Sequence, residues 1–113
     1  MSKFILVVQS NATTGADDEY NEWYNNTHLA EVLQINGFTA AQRFTVKGDP
    51  VAGSSSHRYL AIYEMETDDP KAALDSLSAA VGDGTVHMSD AIDTNGVSAV
   101  LFEPISVRVL GTD

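Results

Sequence analysis

The chain has 113 residues, one domain's worth, with 43% apolar residues and a formal net charge of −10 from 16 acids against 6 bases. That balance excludes global disorder, and the acidic surface repels phosphate, which argues against nucleic acid and anionic membranes as partners. The chain has no cysteine, which removes disulfides, thiolate nucleophiles and cysteine-type zinc sites together.

The first apolar run is Phe4-Ile5-Leu6-Val7-Val8. It is too short for a signal-peptide core or a membrane span, so a cytoplasmic protein is expected. Its unbroken branched character predicts a strand covered on both faces. A polar turn from Ser10 to Gly15 leads to Asp17 and Asp18, acids that complement the dipole at a helix start. Tyr20, Trp23, Tyr24 and Thr27 then fall at helical spacing. A bend or restart is expected near His28, where Leu29, Val32 and Leu33 begin a new stripe, and Gly37 offers a C-terminal stop.

From Phe38 to Val46 the residues Phe38, Ala40, Gln42, Phe44 and Val46 alternate with Thr39, Ala41, Arg43 and Thr45, a strand period. The Gly-, Pro- and Ser-rich stretch from Lys47 to Ser56 is a connection. Arg58 to Met65 reads as a third strand, with Tyr59, Ala61 and Tyr63 on one side and Leu60 and Ile62 on the other. Asp69-Pro70 predicts a helix start, the acid capping and the proline at the first helical position. Ala73, Leu74, Leu77, Ala80 and Val81 make the buried stripe of that helix, and Gly82 ends it. The polar segment from Asp83 to Gly96 has His87-Met88 and Ala91-Ile92 as anchors. Val97 to Phe102 is the fourth strand, interrupted at Pro104, with Ile105 to Leu110 as a candidate extension.

The order β-α-β-β-α-β fills residues 1–113 without an internal boundary, and predicts an α+β, ferredoxin-like sandwich with both helices on one face of the sheet. The first and third strands are apolar on both sides, so the other sheet face needs a partner. A second copy is expected, closing a dimeric α/β barrel.

Trp23-Tyr24 followed by His28, then Gly37-Phe38 and Arg43-Phe44, resembles the first half of EthD-like members of the dimeric α/β barrel superfamily. Met88-Ser89-Asp90-Ala91 and Leu101-Phe102-Glu103-Pro104-Ile105 resemble the same group. Many relatives carry proline two positions after the helical histidine, where this chain has Ala30. The superfamily includes cofactor-free cyclases, muconolactone isomerases, monooxygenases and haem-degrading enzymes, so the resemblance implies a fold more than a chemistry.

Five residues are candidates for a small-molecule site. His28 has the chemistry of a general acid/base, against the plainer role of a cation at a helix end. Tyr24, four residues earlier, can donate its hydroxyl to a substrate carbonyl, and Trp23 can line the pocket, although such a stripe also makes ordinary core. Arg43, on a strand, calls for either an anionic ligand or an internal carboxylate. Tyr63 can face the same cavity, although tyrosine is also a favoured strand residue. His28, His57 and His87 have no ligand spacing, and no phosphate loop or nucleophile elbow occurs. The expected activity is therefore cofactor-independent proton transfer (isomerase, cyclase or lyase) on an aromatic, polyketide-like or lactone substrate, with no metal. The alternatives are a non-catalytic ligand-binding or stress-associated dimer, and a cofactor-free or haem-using monooxygenase.

Overall fold

The computed structural model describes residues 2–112. Strand β1 is Lys3–Ser10, β2 Phe38–Thr45, β3 Tyr59–Glu66 and β4 Ser98–Phe102. They form one four-stranded antiparallel sheet in the order β2-β3-β1-β4. A first helical stretch, α1 (Asp17–Trp23) through α2 (Leu29–Val32), lies between β1 and β2, and α3 (Pro70–Gly82) lies between β3 and β4. This is the ferredoxin-like α+β arrangement that the element order predicts. Among the described residues no helix is long and apolar enough to cross a membrane.

The two faces of the sheet differ in a way that strand periodicity explains. Leu6, Tyr59, Ala61, Tyr63 and Met65 point toward the helices and are buried. The register places Ile5, Val7, Leu60, Ile62, Val100 and Phe102 on the opposite face, where Ile5, Val100 and Phe102 stand exposed. The β1 run is therefore covered on one side only within a single chain. A bulge between Phe38 and Ala40 corrects the simple alternation in β2: Phe38 opposes Met65 and is buried with it, whereas Ala40, Gln42 and Phe44 fall on the open face.

Tyr20 is fully buried, and its hydroxyl hydrogen-bonds the buried Ser10 hydroxyl, so both polar groups are satisfied. Gly37, at φ +101°, lets the chain turn into β2 beneath α3, since a Cβ there would meet the Ala73 side chain at 3.2 Å. Asp69 caps α3 as its spacing predicts, its carboxylate accepting from the Ala72 N–H at 3.0 Å with Pro70 beginning the helix. Asp69→Ala is expected to cost ~1 kcal/mol, the usual loss for an N-cap acceptor; an unchanged urea midpoint would place the cap elsewhere. Ile105 to Leu110 forms no strand in the single chain, and Ile105 and Val109 are 97% and 85% exposed.

Candidate functional site

Three of the five candidate residues come from the first helical stretch, and its local geometry brings them together. Between α1 and α2 the chain makes a π turn, Tyr24–His28, with right-handed helical dihedrals at Trp23, Tyr24, His28 and Leu29. The α-helix thus gives way to a π turn ending at His28 and restarts at Leu29, where the restart is expected. In an α-helix residues five apart lie about 140° apart around the axis; the wider π turn swings them onto one face. The Trp23 and His28 rings accordingly lie 4.6 Å apart at 30°, and Tyr24 meets His28 edge-on at 4.9 Å.

This cluster borders a cavity of about 180 Å³ between the helices and the sheet. Leu6, Val8 and Ala99 form its floor, Leu77 and Val81 of α3 one side, and Met88, Ile92, Thr94 and Val97 the other. Tyr24, His28 and Tyr63 are the titratable residues of this almost wholly apolar lining. Tyr63 donates to the Tyr24 hydroxyl at 3.0 Å, which leaves the Tyr24 O–H free to donate elsewhere. Burial pushes the Tyr24 phenol up to about 12 and raises Tyr63 further still, so both stay neutral donors. Burial pulls the His28 imidazole down to about 4, partly opposed by the nearby Glu31 carboxylate. His28 is thus uncharged at neutral pH. Its Nδ1 is the one buried side-chain polar atom without a hydrogen-bond partner among the described residues.

Arg43 is placed differently. Its guanidinium stacks on the outer face of the Tyr24 ring at 4.3 Å, near Tyr20 and Tyr59 at 5.1 and 5.5 Å. It donates to Asn25 at 2.7 Å and Asn21 at 2.9 Å. Neither an anion nor an internal carboxylate is needed to explain it, because side-chain amides and ring faces hold the charge. Arg43 lines a separate open groove with Asn21, Asn25 and Tyr59, not the cavity of His28. Trp23 packs on His28 and donates from Nε1 to the His87 carbonyl at 3.1 Å, so it buttresses the cavity rather than lining it.

Sequence reasoning passed over Glu31 as a site residue. Its carboxylate accepts the His87 N–H at 2.8 Å and meets His87 Nδ1 at 2.6 Å, contacts that hold it below the usual carboxylate range. Its position three residues after His28 was the available signal, one helical turn along the same face.

No family model matches this chain, and no curated protein does. The solved structures decide the architecture. An EthD family protein from Bacillus halodurans superposes with a TM-score of 0.62, covering 93% of this chain and all of its own at 16% identity. The chain has the ferredoxin-like fold of the EthD-type proteins. A protein from Shewanella loihica assigned as a monooxygenase matches with a TM-score of 0.61 at 14% identity, over 95% of this chain and 99% of its own. The haem-degrading MhuD of Mycobacterium tuberculosis, solved with two haems in its active site, matches with a TM-score of 0.61 at 20% identity, over 94% of this chain and 99% of its own. At these identities the likeness is one of fold, and function must be argued from the site.

Proposed function

We propose that the cavity binds a small, largely apolar molecule carrying one oxygen, of aromatic, polyketide-like or lactone type, and that His28 exchanges a proton with it. The partnerless Nδ1 of His28 carries this reading: a buried nitrogen without a hydrogen bond is costly unless a ligand supplies one. In the tautomer protonated at Nε2, the Nδ1 lone pair takes a proton from carbon or oxygen of the substrate. The electrons released collect on the substrate oxygen, to which Tyr24 donates, held in place by Tyr63. The imidazolium and the enolate are each other's counter-ions, which offsets the burial that weakens His28 as a base. Return of the proton to a different atom gives an isomer or a closed ring, and no cofactor takes part.

The test uses phenol and δ-valerolactone. His28→Gln and Tyr24→Phe are each expected to weaken binding about tenfold, the order of one hydrogen bond, with the melting temperature within a few degrees of wild type. In D2O the wild type is expected to catalyse exchange at the lactone α-carbon, and His28→Gln to slow it by roughly 10²-fold or more. Binding without exchange would leave a ligand-binding protein and remove the catalytic step.

A second reading, oxygenation of a phenol without a cofactor, starts from the same deprotonation and is favoured by the fold shared with the Shewanella protein and MhuD. Oxygen consumption with a bound phenol distinguishes it. A porphyrin exceeds a cavity of about 180 Å³, and we assign haem no place in it.

The open sheet face supports a homodimer. A compact monomer of 12.1 kDa exposes about 6,000 Å², whereas this chain exposes 7790 Å². Part of that excess lies in the extended tail at Ile105, Val107 and Val109, and part on the open face at Ile5, Val100 and Phe102. The same face carries a groove of about 350 Å³ lined by Ile5, Phe102 and Pro104 with Glu64, Glu66 and Glu103 at its margins.

A further inference from the structure

The binding reading raises a question of access, because pockets for drug-sized ligands run to roughly 300 Å³ or more and this one holds about 180 Å³. One wall is thin. Met88 lines the cavity and is 48% exposed on its outer side. The segment carrying it is fixed at both ends. Val86 is buried and its N–H bonds the Ala80 carbonyl at 3.0 Å. Ala91 and Ile92 are buried, the Ala91 carbonyl accepts from Thr13 at 2.7 Å, and the Asp93 N–H donates to Asn11 at 2.9 Å. Only residues 87–90 span the gap between these anchors.

What holds that short span down is concentrated on one residue. His87 gives its N–H and its ring nitrogen to the two oxygens of Glu31, and its carbonyl accepts from the Trp23 indole. Glu31 and Trp23 both belong to the helical stretch that carries Tyr24 and His28. The contacts that close the wall are therefore made to the stretch that presents the chemistry.

We propose that residues 87–90 form a gate over the cavity, with Met88 as its plug and Glu31 as the latch that holds it shut through His87. The proposal rests on the cavity being the binding site. Met88 also limits which ligands fit, since its side chain occupies the wall a larger ring would need. Glu31 is a positioning residue: it acts through His87 and does not line the cavity.

The test uses Glu31→Ala, amide hydrogen exchange, and 4-nitrophenol uptake followed by quenching of Trp23, the chain's single tryptophan. Loss of the hydrogen bond to a charged acceptor is expected to speed exchange at the His87 amide by roughly tenfold or more. Exchange at the Val86 and Asp93 anchors is expected to stay unchanged. Uptake and release of the probe are both expected to quicken, because the latch bears on access to the cavity. Met88→Ala is expected to admit 1-naphthol about fivefold more tightly than wild type, as a larger pocket accepts the second ring. Unchanged His87 exchange in Glu31→Ala, or a rise shared equally by Val86 and Asp93, would overturn the gate. A wild-type chain that takes up no probe while His87 exchange still responds would overturn the binding reading instead.

Discussion

Acidification from pH 7 is expected to cost the protein about 2 kcal/mol by pH 5 and about 3 kcal/mol by pH 4 through His28, and His28→Gln is expected to remove that loss. The folded imidazole titrates at about 4 against an ordinary 6.5. Between those values the unfolded chain binds the proton and the folded chain does not, so stability falls as pH falls. The contribution is complete above 6.5 and exhausted below 4. Glu31 works in the same direction but in a lower window, because its folded value lies below 4.5 and its contribution is lost only as pH falls through that value. Urea unfolding at pH 7, 6 and 5 therefore isolates His28. A wild type and a His28→Gln variant whose midpoints decline in parallel across that range would show that the imidazole is not held neutral by the fold.

The second large effect concerns assembly. Phe102 sits 49% exposed on the uncovered sheet face, opposite Ile5 in the register. Phe102→Glu is expected to convert a dimer at micromolar concentration into a monomer. An unpaired carboxylate buried at a two-fold interface occurs twice, and at ~2 kcal/mol per copy the dissociation constant rises by roughly 10³-fold. Within the single chain the side chain is half in water, so the monomer's melting temperature should barely move. Light scattering checks the change of mass and thermal unfolding by circular dichroism checks the fold, and a wild type that is monomeric at ~50 μM, well above the dissociation constant of a stable dimer, would contradict the pairing of open faces.

Much of this architecture is legible in the residues, for identifiable reasons. The alternation of Tyr59, Ala61 and Tyr63 with Leu60 and Ile62 states both faces of β3, and Asp69-Pro70 states where α3 begins. Other features depend on contacts that spacing does not encode. The π turn that sets Trp23 against His28 is a matter of which carbonyl each N–H chooses, and Ala30 gives no sign of it. The bulge that turns Phe38 inward is invisible in a run that alternates evenly on paper. Arg43 looks as though it needs a carboxylate in so acidic a chain, yet Asn21, Asn25 and three tyrosine rings surround it. The anchors of the 87–90 span are long-range backbone bonds to Ala80, Asn11 and Thr13, which no local pattern announces.

The most direct test of the account is the NMR titration of the His28 imidazole in the free protein and with phenol or a lactone bound. We expect a midpoint near 4 in the free protein, and a changed imidazole shift once a ligand reaches Nδ1. A midpoint at the ordinary value of about 6.5, unmoved by every ligand that binds, would take His28 out of the site and contradict the central claim.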